Sequence, residues 1–216
     1  MHSASEIAEK VRSEGIYIFD EPFVTELELS QLLPVAEREC SKADDEYKFG
    51  KAARVGALED WVGTPIGNLF SSSFVREISH EFFGFPPSFS EIFITNEYRN
   101  DKGLERNGWL HFDRIPTLKF FIYLNDCIKD TGAFSYVPGS HILGKELREK
   151  TETNPYEDIK NRLELDYPEL GYKTENATSI EGKAGTMFVF HTDLFHCGGR
   201  VKDKTQRKAM RLHLRP

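Results

Sequence analysis

The chain has 216 residues, of which 39% are hydrophobic, 12% aromatic and 29% charged, and its formal net charge is −7. That length supports one globular domain with a sizeable core. The acidic balance argues against a basic footprint for nucleic acid or an anionic membrane surface, and no apolar run approaches the roughly 18–20 residues of a membrane span.

The polar, acidic stretch from Met1 to Lys10 does not read as a signal peptide. Cys40, Cys127 and Cys197 are odd in number and widely spaced, so they form neither a metal motif nor a disulfide framework. A reducing, cytoplasmic setting is expected. Ile7 to Arg12 reads as a helix ending near Gly15, and Gly15 to Phe19 as a short strand. Thr25-Glu26-Leu27-Glu28 has the form of a capping box and opens a helix toward Cys40. Pro34 should kink or interrupt that helix. Ser73 to Phe83 has apolar residues at helical spacing, and Gly84 is its stop.

From about residue 90 the hydrophobic period falls to two. The expected strands are Glu91–Tyr98, Leu110–Asp113, Thr117–Leu124, Phe134–Pro138, Thr186–His191, His196–Arg200 and Lys208–Arg215. Arg99–Gly108 is charged, carries two glycines and reads as a loop. Leu143–Gly171 reads as a largely helical, polar excursion. Short strands with turn signals between them suggest a sandwich or barrel. The expected fold is mainly β with flanking helices: a helix-rich part over about 1–89, a barrel core over about 90–216, and a helical insertion over about 143–171, all in one domain.

Two histidines 85 residues apart carry the chemistry: His111 in Trp109-Leu110-His111-Phe112-Asp113, and His196 in Phe195-His196-Cys197-Gly198-Gly199. Two imidazoles and one carboxylate on a triangular face are the donor set of non-haem Fe(II) oxygenases. His-x-carboxylate alone is weak evidence, and the chain has two such pairs, His111/Asp113 and His191/Asp193. In a strand, residues i and i+2 share a face with Cα atoms about 6.5–7 Å apart, so both pairs can chelate. His196 has the opposite parity to His191 and Asp193, so one extended strand cannot present all three, although a turn between them would.

Further motifs make the pattern more specific. His111-x-Asp113 is followed by Leu118-Lys119-Phe120-Phe121-Ile122-Tyr123-Leu124-Asn125-Asp126 and by Thr131-Gly132 through Pro138-Gly139-Ser140-His141. Gly185 to Phe190, His196 to Gly199, and Arg207 eleven residues after His196 come later. This order resembles the phytanoyl-CoA dioxygenase (PhyH-like) family of Fe(II)/2-oxoglutarate oxygenases over roughly residues 90–216. The resemblance implies a double-stranded β-helix, a jelly roll closed around the metal. It implies iron on His111, Asp113 and His196, and the distal carboxylate of 2-oxoglutarate on Arg207. A guanidinium suits that role because its planar fork matches a carboxylate with two parallel hydrogen bonds.

Other residues are weighed beside these. Lys119 and Tyr123 share a strand face and are candidates for the co-substrate, against a snorkelling lysine beside an aromatic. Asn96 and Tyr98, on the preceding strand, are similar candidates. Arg200 is the rival anchor. His191, Asp193 and His141 read as structural, and strand alternation turns Cys197 away from the metal. Ala209, Arg211 and His213 share a face with Arg207, and that polar face suggests a lined cavity, with a solvent face as the alternative. Halogenating relatives carry Gly or Ala at the aspartate position, so Asp113 favours hydroxylation or another ordinary oxidation. The expected activity is an Fe(II)- and 2-oxoglutarate-dependent dioxygenase that uses O2 to oxidise a small organic molecule, releasing succinate and CO2. The alternative is a cupin-like metal-binding barrel without 2-oxoglutarate chemistry, which has no need of Arg207.

Overall fold

The computed structural model describes residues 2–42, 51–99, 108–151 and 160–216. Helix α1 (Ala4–Glu14) starts at a reciprocal Ser3/Glu6 capping box and stops at Gly15, whose φ of 85° suits a residue without Cβ. Strand β1 (Ile16–Ile18) follows. Helix α2 (Glu26–Ser41) opens on the expected Thr25/Glu28 box but runs through Pro34 as one element, so the expected interruption is corrected. Proline removes one internal hydrogen bond. Buried Leu29, Leu32 and Ala36 flank it and keep both halves of the helix packed on the core. Strand β2 (Lys51–Ala57) and helix α3 (Pro65–Phe70) are additions to the expected elements. Helix α4 (Ser73–Phe83) ends at Gly84, as expected.

The later strands are β3 (Phe89–Tyr98), β4 (Leu118–Tyr123), β5 (Ser135–Tyr136), β6 (Thr178–Ser179), β7 (Met187–His191), β8 (His196–Cys197) and β9 (Gln206–Arg215). Six strands make one sheet in the order β1-β7-β4-β9-β3-β2, and three make a second in the order β6-β5-β8. Among the described residues these strands all pair antiparallel. Both edges of the large sheet, β1 and β2, come from the part of the chain before residue 90.

Side-chain alternation divides the interior in two. One face of the large sheet, with Ile92, Ile94, Phe120, Ile122, Val189, Met210 and Leu212, packs under α1 to α4. The other face, with Phe121, Tyr123, Phe188, Phe190 and Ala209, meets Phe134 beside the small sheet. Each fully buried large apolar side chain contributes about 1.5–3 kcal/mol. Two antiparallel sheets closed on this second cluster form the expected double-stranded β-helix.

Three expected strands shrink. Leu110–Asp113 is not a strand: only His111 makes isolated bridges, to His196 and Arg162. The flanking backbone instead bonds singly outward, Phe112 N–H to Asn161 O at 3.3 Å and Asp113 N–H to Thr192 O at 2.9 Å. β8 stops before Gly198-Gly199, and β5 keeps only two residues of Phe134–Pro138. Helix α5 (His141–Thr151) starts two residues before the expected excursion, and α6 (Leu163–Asp166) lies inside it. Arg148, Asn161 and Leu163 are buried, so the inner side of the described part of this excursion packs against the molecule. Residues 100–107 of the expected Arg99–Gly108 loop, and 152–159 of the excursion, lie outside the described residues. Among the described residues no helix is long and apolar enough to cross a membrane.

Candidate metal centre

His111 and His196 face each other across an antiparallel pair. The His111 N–H donates to His196 O at 2.9 Å, and the His196 N–H donates to His111 O at 2.8 Å. Residues that exchange both backbone bonds present their side chains on one face, and here the two ring centroids are 4.5 Å apart. The bond from Asp113 N–H to Thr192 O turns the chain so that the carboxylate returns toward the rings. Asp113 Oδ1 lies 3.8 Å from His111 Nε2 and 3.5 Å from His196 Nε2. The three prospective ligand atoms all lie within 4.8 Å of one another.

The backbone also sets the tautomers. Each Nδ1 sits 2.7 Å from the carbonyl two residues earlier, Trp109 O for His111 and Leu194 O for His196. A carbonyl only accepts, so each Nδ1 carries the proton and each Nε2 offers its lone pair to the common point. Burial, and then the neighbouring His196, hold the His111 imidazole well below its ordinary pKa. Burial alone would raise the Asp113 carboxyl. The Lys119 ammonium, together with His196 and His111, outweighs it and holds the group well below the usual carboxylate range. Lys119 Nζ contacts Oδ2 at 2.5 Å, leaving Oδ1 to the imidazoles. Two imidazoles presenting Nε2 and one carboxylate converging on one side fit a non-haem Fe(II) ion.

One strand face leads away from this point. Arg207, Ala209, Arg211 and His213 of β9 lie opposite Glu97, Thr95, Phe93 and Glu91 of β3. Arg207 is buried. Its Nη2 pairs with Glu97 and its Nη1 donates to Gly132 O. The guanidinium lies so close to Gly198 that a Cβ there would stand 2.7 Å from Nη2, so the glycine is what leaves it room. Burial disfavours the Arg207 charge, but Glu97 together with Tyr123 and Cys127 outweighs it and holds the pKa above its ordinary value. The polar face of β9 is therefore a lined interior and not a solvent face.

The structure thus brings together His111, Asp113, His196 and Lys119, with Arg207 on the same interior. Tyr123 is fully buried, and its hydroxyl is engaged by backbone, donating to Ile180 O at 2.8 Å and accepting from Phe134 N–H at 2.9 Å. Asn96 and Tyr98 are not brought to the site. They continue the Ile92–Ile94 face toward the helices, and Asn96 borders a separate cavity with Ala36, Cys40 and Lys208. The neighbour of Arg207 is Glu97, one position away, which the sequence reading missed. His191 is held by Asp193 at 3.3 Å, and Asp193 by Arg148 at 2.6 Å. His141 bonds Arg12 O at the start of α5. Arg200 is exposed. Cys197 is buried on the far side with Leu110, Phe112 and Phe195, and burial pushes its thiol up to about 12. Beside the triad a cavity of about 270 Å³ is lined by His111, Asp113, Arg114, Ile115, Thr117, Asn161, Arg162 and Arg215.

Comparison with known proteins agrees with this geometry. The family model described as phytanoyl-CoA dioxygenase (PhyH) matches residues 102–209. Phytanoyl-CoA dioxygenase 1 of Oryza sativa subsp. japonica is 26% identical over 111 residues, which is 50% of this chain and 36% of that protein. The phytanoyl-CoA dioxygenase of Arabidopsis thaliana is 28% identical over 108 residues, again 50% and 36%. The chain thus spans little more than a third of the plant proteins it matches. Among solved structures, the epimerase SnoN in complex with Fe3+, α-ketoglutarate and nogalamycin RO is similar at a TM-score of 0.68 and 16% identity, covering 99% of this chain and 86% of that one. The α-ketoglutarate-dependent carbocyclase SnoK matches at 0.68 and 18% identity, with coverage of 99% and 86%. HygX from Streptomyces hygroscopicus, with nickel, 2-oxoglutarate and hygromycin B bound, matches at 0.67 and 14%, with coverage of 98% and 86%.

Proposed function

The chain belongs to the phytanoyl-CoA dioxygenase family, and from that premise we propose that it is an Fe(II)- and 2-oxoglutarate-dependent oxygenase that hydroxylates a small organic molecule. The observation that carries this reading is the convergence of His111 Nε2, His196 Nε2 and Asp113 Oδ1 on one point. These three hold the iron. Lys119 keeps Asp113 ionised through its second oxygen. Arg207 anchors the distal carboxylate of 2-oxoglutarate, with Glu97 yielding or sharing the guanidinium. Phe134 and Phe190 pack against the His196 ring and exclude water from that side. When bound, iron, 2-oxoglutarate and O2 together supply the oxidising equivalents. The protein contributes the ligand geometry, the co-substrate anchor and a dry wall.

Asp113 fills the third ligand position, which favours hydroxylation over halogenation. The epimerase and carbocyclase among the structural neighbours share the fold, and on such a scaffold the outcome follows from how the substrate is held. One observation favours a second reading: Arg207 is already neutralised by Glu97, as a metal-binding barrel without co-substrate would allow. The three thiols are free, which suits a reducing, cytoplasmic setting. The test is a substrate screen read by succinate release, followed by mass analysis of the product made under isotopically labelled O2. One labelled oxygen in the product supports hydroxylation. Succinate release with an unlabelled, isomerised or desaturated product refutes it while leaving the oxygenase.

A further inference from the structure

A second guanidinium on the inner face of β9 has no part in this mechanism. Arg211 shares the inner face of β9 with Arg207, four residues further along. Its cross-strand neighbours are Phe93 on β3 and Phe121 on β4. Its guanidinium carbon lies 5.3 Å from the Phe93 ring centre and 5.6 Å from that of Phe121. Two aromatic faces fix the planar fork without satisfying its hydrogen-bond donors. Its Nε is buried without a partner, and among the described residues Arg211 makes no ion pair. Arg211 as a whole is half-buried, but a buried guanidinium nitrogen left without a partner is costly and needs an explanation.

Position and charge supply one. The residue after next, His213, pairs across to Lys119, and Lys119 reaches Asp113. Arg211 therefore stands between the Arg207–Glu97 pair and the metal ligands, and it feels Glu97, Arg207 and Asp113. Among the described residues Arg207 pairs with Glu97 and Lys119 with Asp113, whereas Arg211 has no carboxylate of its own. Ferrous iron and the 2-oxoglutarate dianion add no net charge, so Arg211 still lacks a counter-charge after both have bound.

We propose that Arg211 is a specificity residue: it holds an anionic group of the organic substrate, a carboxylate, sulfonate or phosphate, beside the metal. This deepens the oxygenase reading and rests on it. The substrate is then an organic anion, and its charge-assisted bonds to Arg211 position the bond to be oxidised.

The test uses the full chain loaded with Fe(II) and 2-oxoglutarate under argon. Propionate, methanesulfonate and inorganic phosphate are titrated in by calorimetry, with propanamide as the neutral control. The parent, Arg211→Met and Arg211→Lys are compared. At least one anion should bind the parent. Arg211→Met should weaken that anion by about tenfold or more, and Arg211→Lys by less. The 2-oxoglutarate dissociation constant should stay within about threefold in both variants. Anions that bind parent and Arg211→Met alike, anions that do not bind the parent, or an Arg211→Met variant that loses 2-oxoglutarate would each overturn the proposal. A parent that binds iron but no 2-oxoglutarate defeats the oxygenase reading separately, and the same anion titration on the iron-loaded protein still decides Arg211.

Discussion

Replacing Lys119 by Met keeps the aliphatic stem and removes the ammonium that lies 2.5 Å from Asp113 Oδ2. The Lys119 side chain is 10% exposed and that of Asp113 25%. Breaking a buried ion pair by removing one partner costs about 3–5 kcal/mol, because the surviving charge is left unpaired. Asp113 keeps a quarter of its surface in water, which puts the loss at the low end, about 3 kcal/mol. At this chain length each kcal/mol moves Tm by about 2–4 °C, so the metal-free variant should melt roughly 6–12 °C below the parent. Bound Fe(II) replaces the missing positive charge, so the deficit should shrink on loading. Thermodynamic linkage then requires the variant to bind Fe(II) more tightly than the parent does. If about one-third of the penalty survives in the loaded protein, the gain is about 2 kcal/mol, or roughly 30-fold in affinity. The assay is paired thermal melts, with chelator and with Fe(II) under argon, plus a competitive Fe(II) titration. An equal fall in Tm under both conditions, or weaker iron binding, would refute the reasoning. Lys119 would then be holding Asp113 in its ligating pose rather than neutralising it.

Three further outcomes are expected. His111→Ala or His196→Ala should abolish or severely reduce Fe(II) binding while His191→Ala leaves it nearly intact, because His191 is tied to Asp193 and Phe82; metal content after dialysis checks this. Arg207→Met should weaken 2-oxoglutarate by about 30- to 4,000-fold, corresponding to about 2–5 kcal/mol for a truncated buried pair, with iron binding kept and Arg200→Met close to parent; a titration with Fe(II) present and O2 absent measures it. Asp113→Gly should lose substrate oxidation while keeping both imidazoles, and chloride binding should bring no chlorination without further changes in the pocket; full turnover in this variant would show that Asp113 is not a required ligand.

The metal triad was legible because its signals are local and chemically narrow. A His-x-Asp pair, a later His followed by two glycines, and an arginine eleven residues on form a pattern that packing alone does not demand. The faces of β9 were legible because Met210, Leu212 and Leu214 alternate cleanly with Arg207, Arg211 and His213. The faces of β3 were not. In Ile92-Phe93-Ile94-Thr95 both parities look buried, since one packs under helices and the other inside the barrel, and the choice fell on Asn96 and Tyr98 when Glu97 was the inward residue. Strand β2 was missed because Lys51-Ala52-Ala53-Arg54 shows no apolar alternation, and an edge strand with one neighbour does not need it. The Leu110–Asp113 strand was overread because a single bridge at His111, set by two distant chain segments, leaves no periodic trace. The parity argument and the resemblance already favour His196 over His191, but the two backbone bonds that set His196 against His111 follow from no local sequence rule.

The central claim is that His111, Asp113, His196 and Arg207 form one centre for iron and 2-oxoglutarate, and anaerobic titration followed by visible absorption tests it most directly. The account predicts that Fe(II) and 2-oxoglutarate bind together at one of each per chain with a new visible band. That band should be absent in His196→Ala for want of metal and in Arg207→Met for want of co-substrate. Stoichiometric iron binding with no 2-oxoglutarate-dependent change in the parent would contradict it, and would leave a metal-binding barrel whose Arg207 serves only its pair with Glu97.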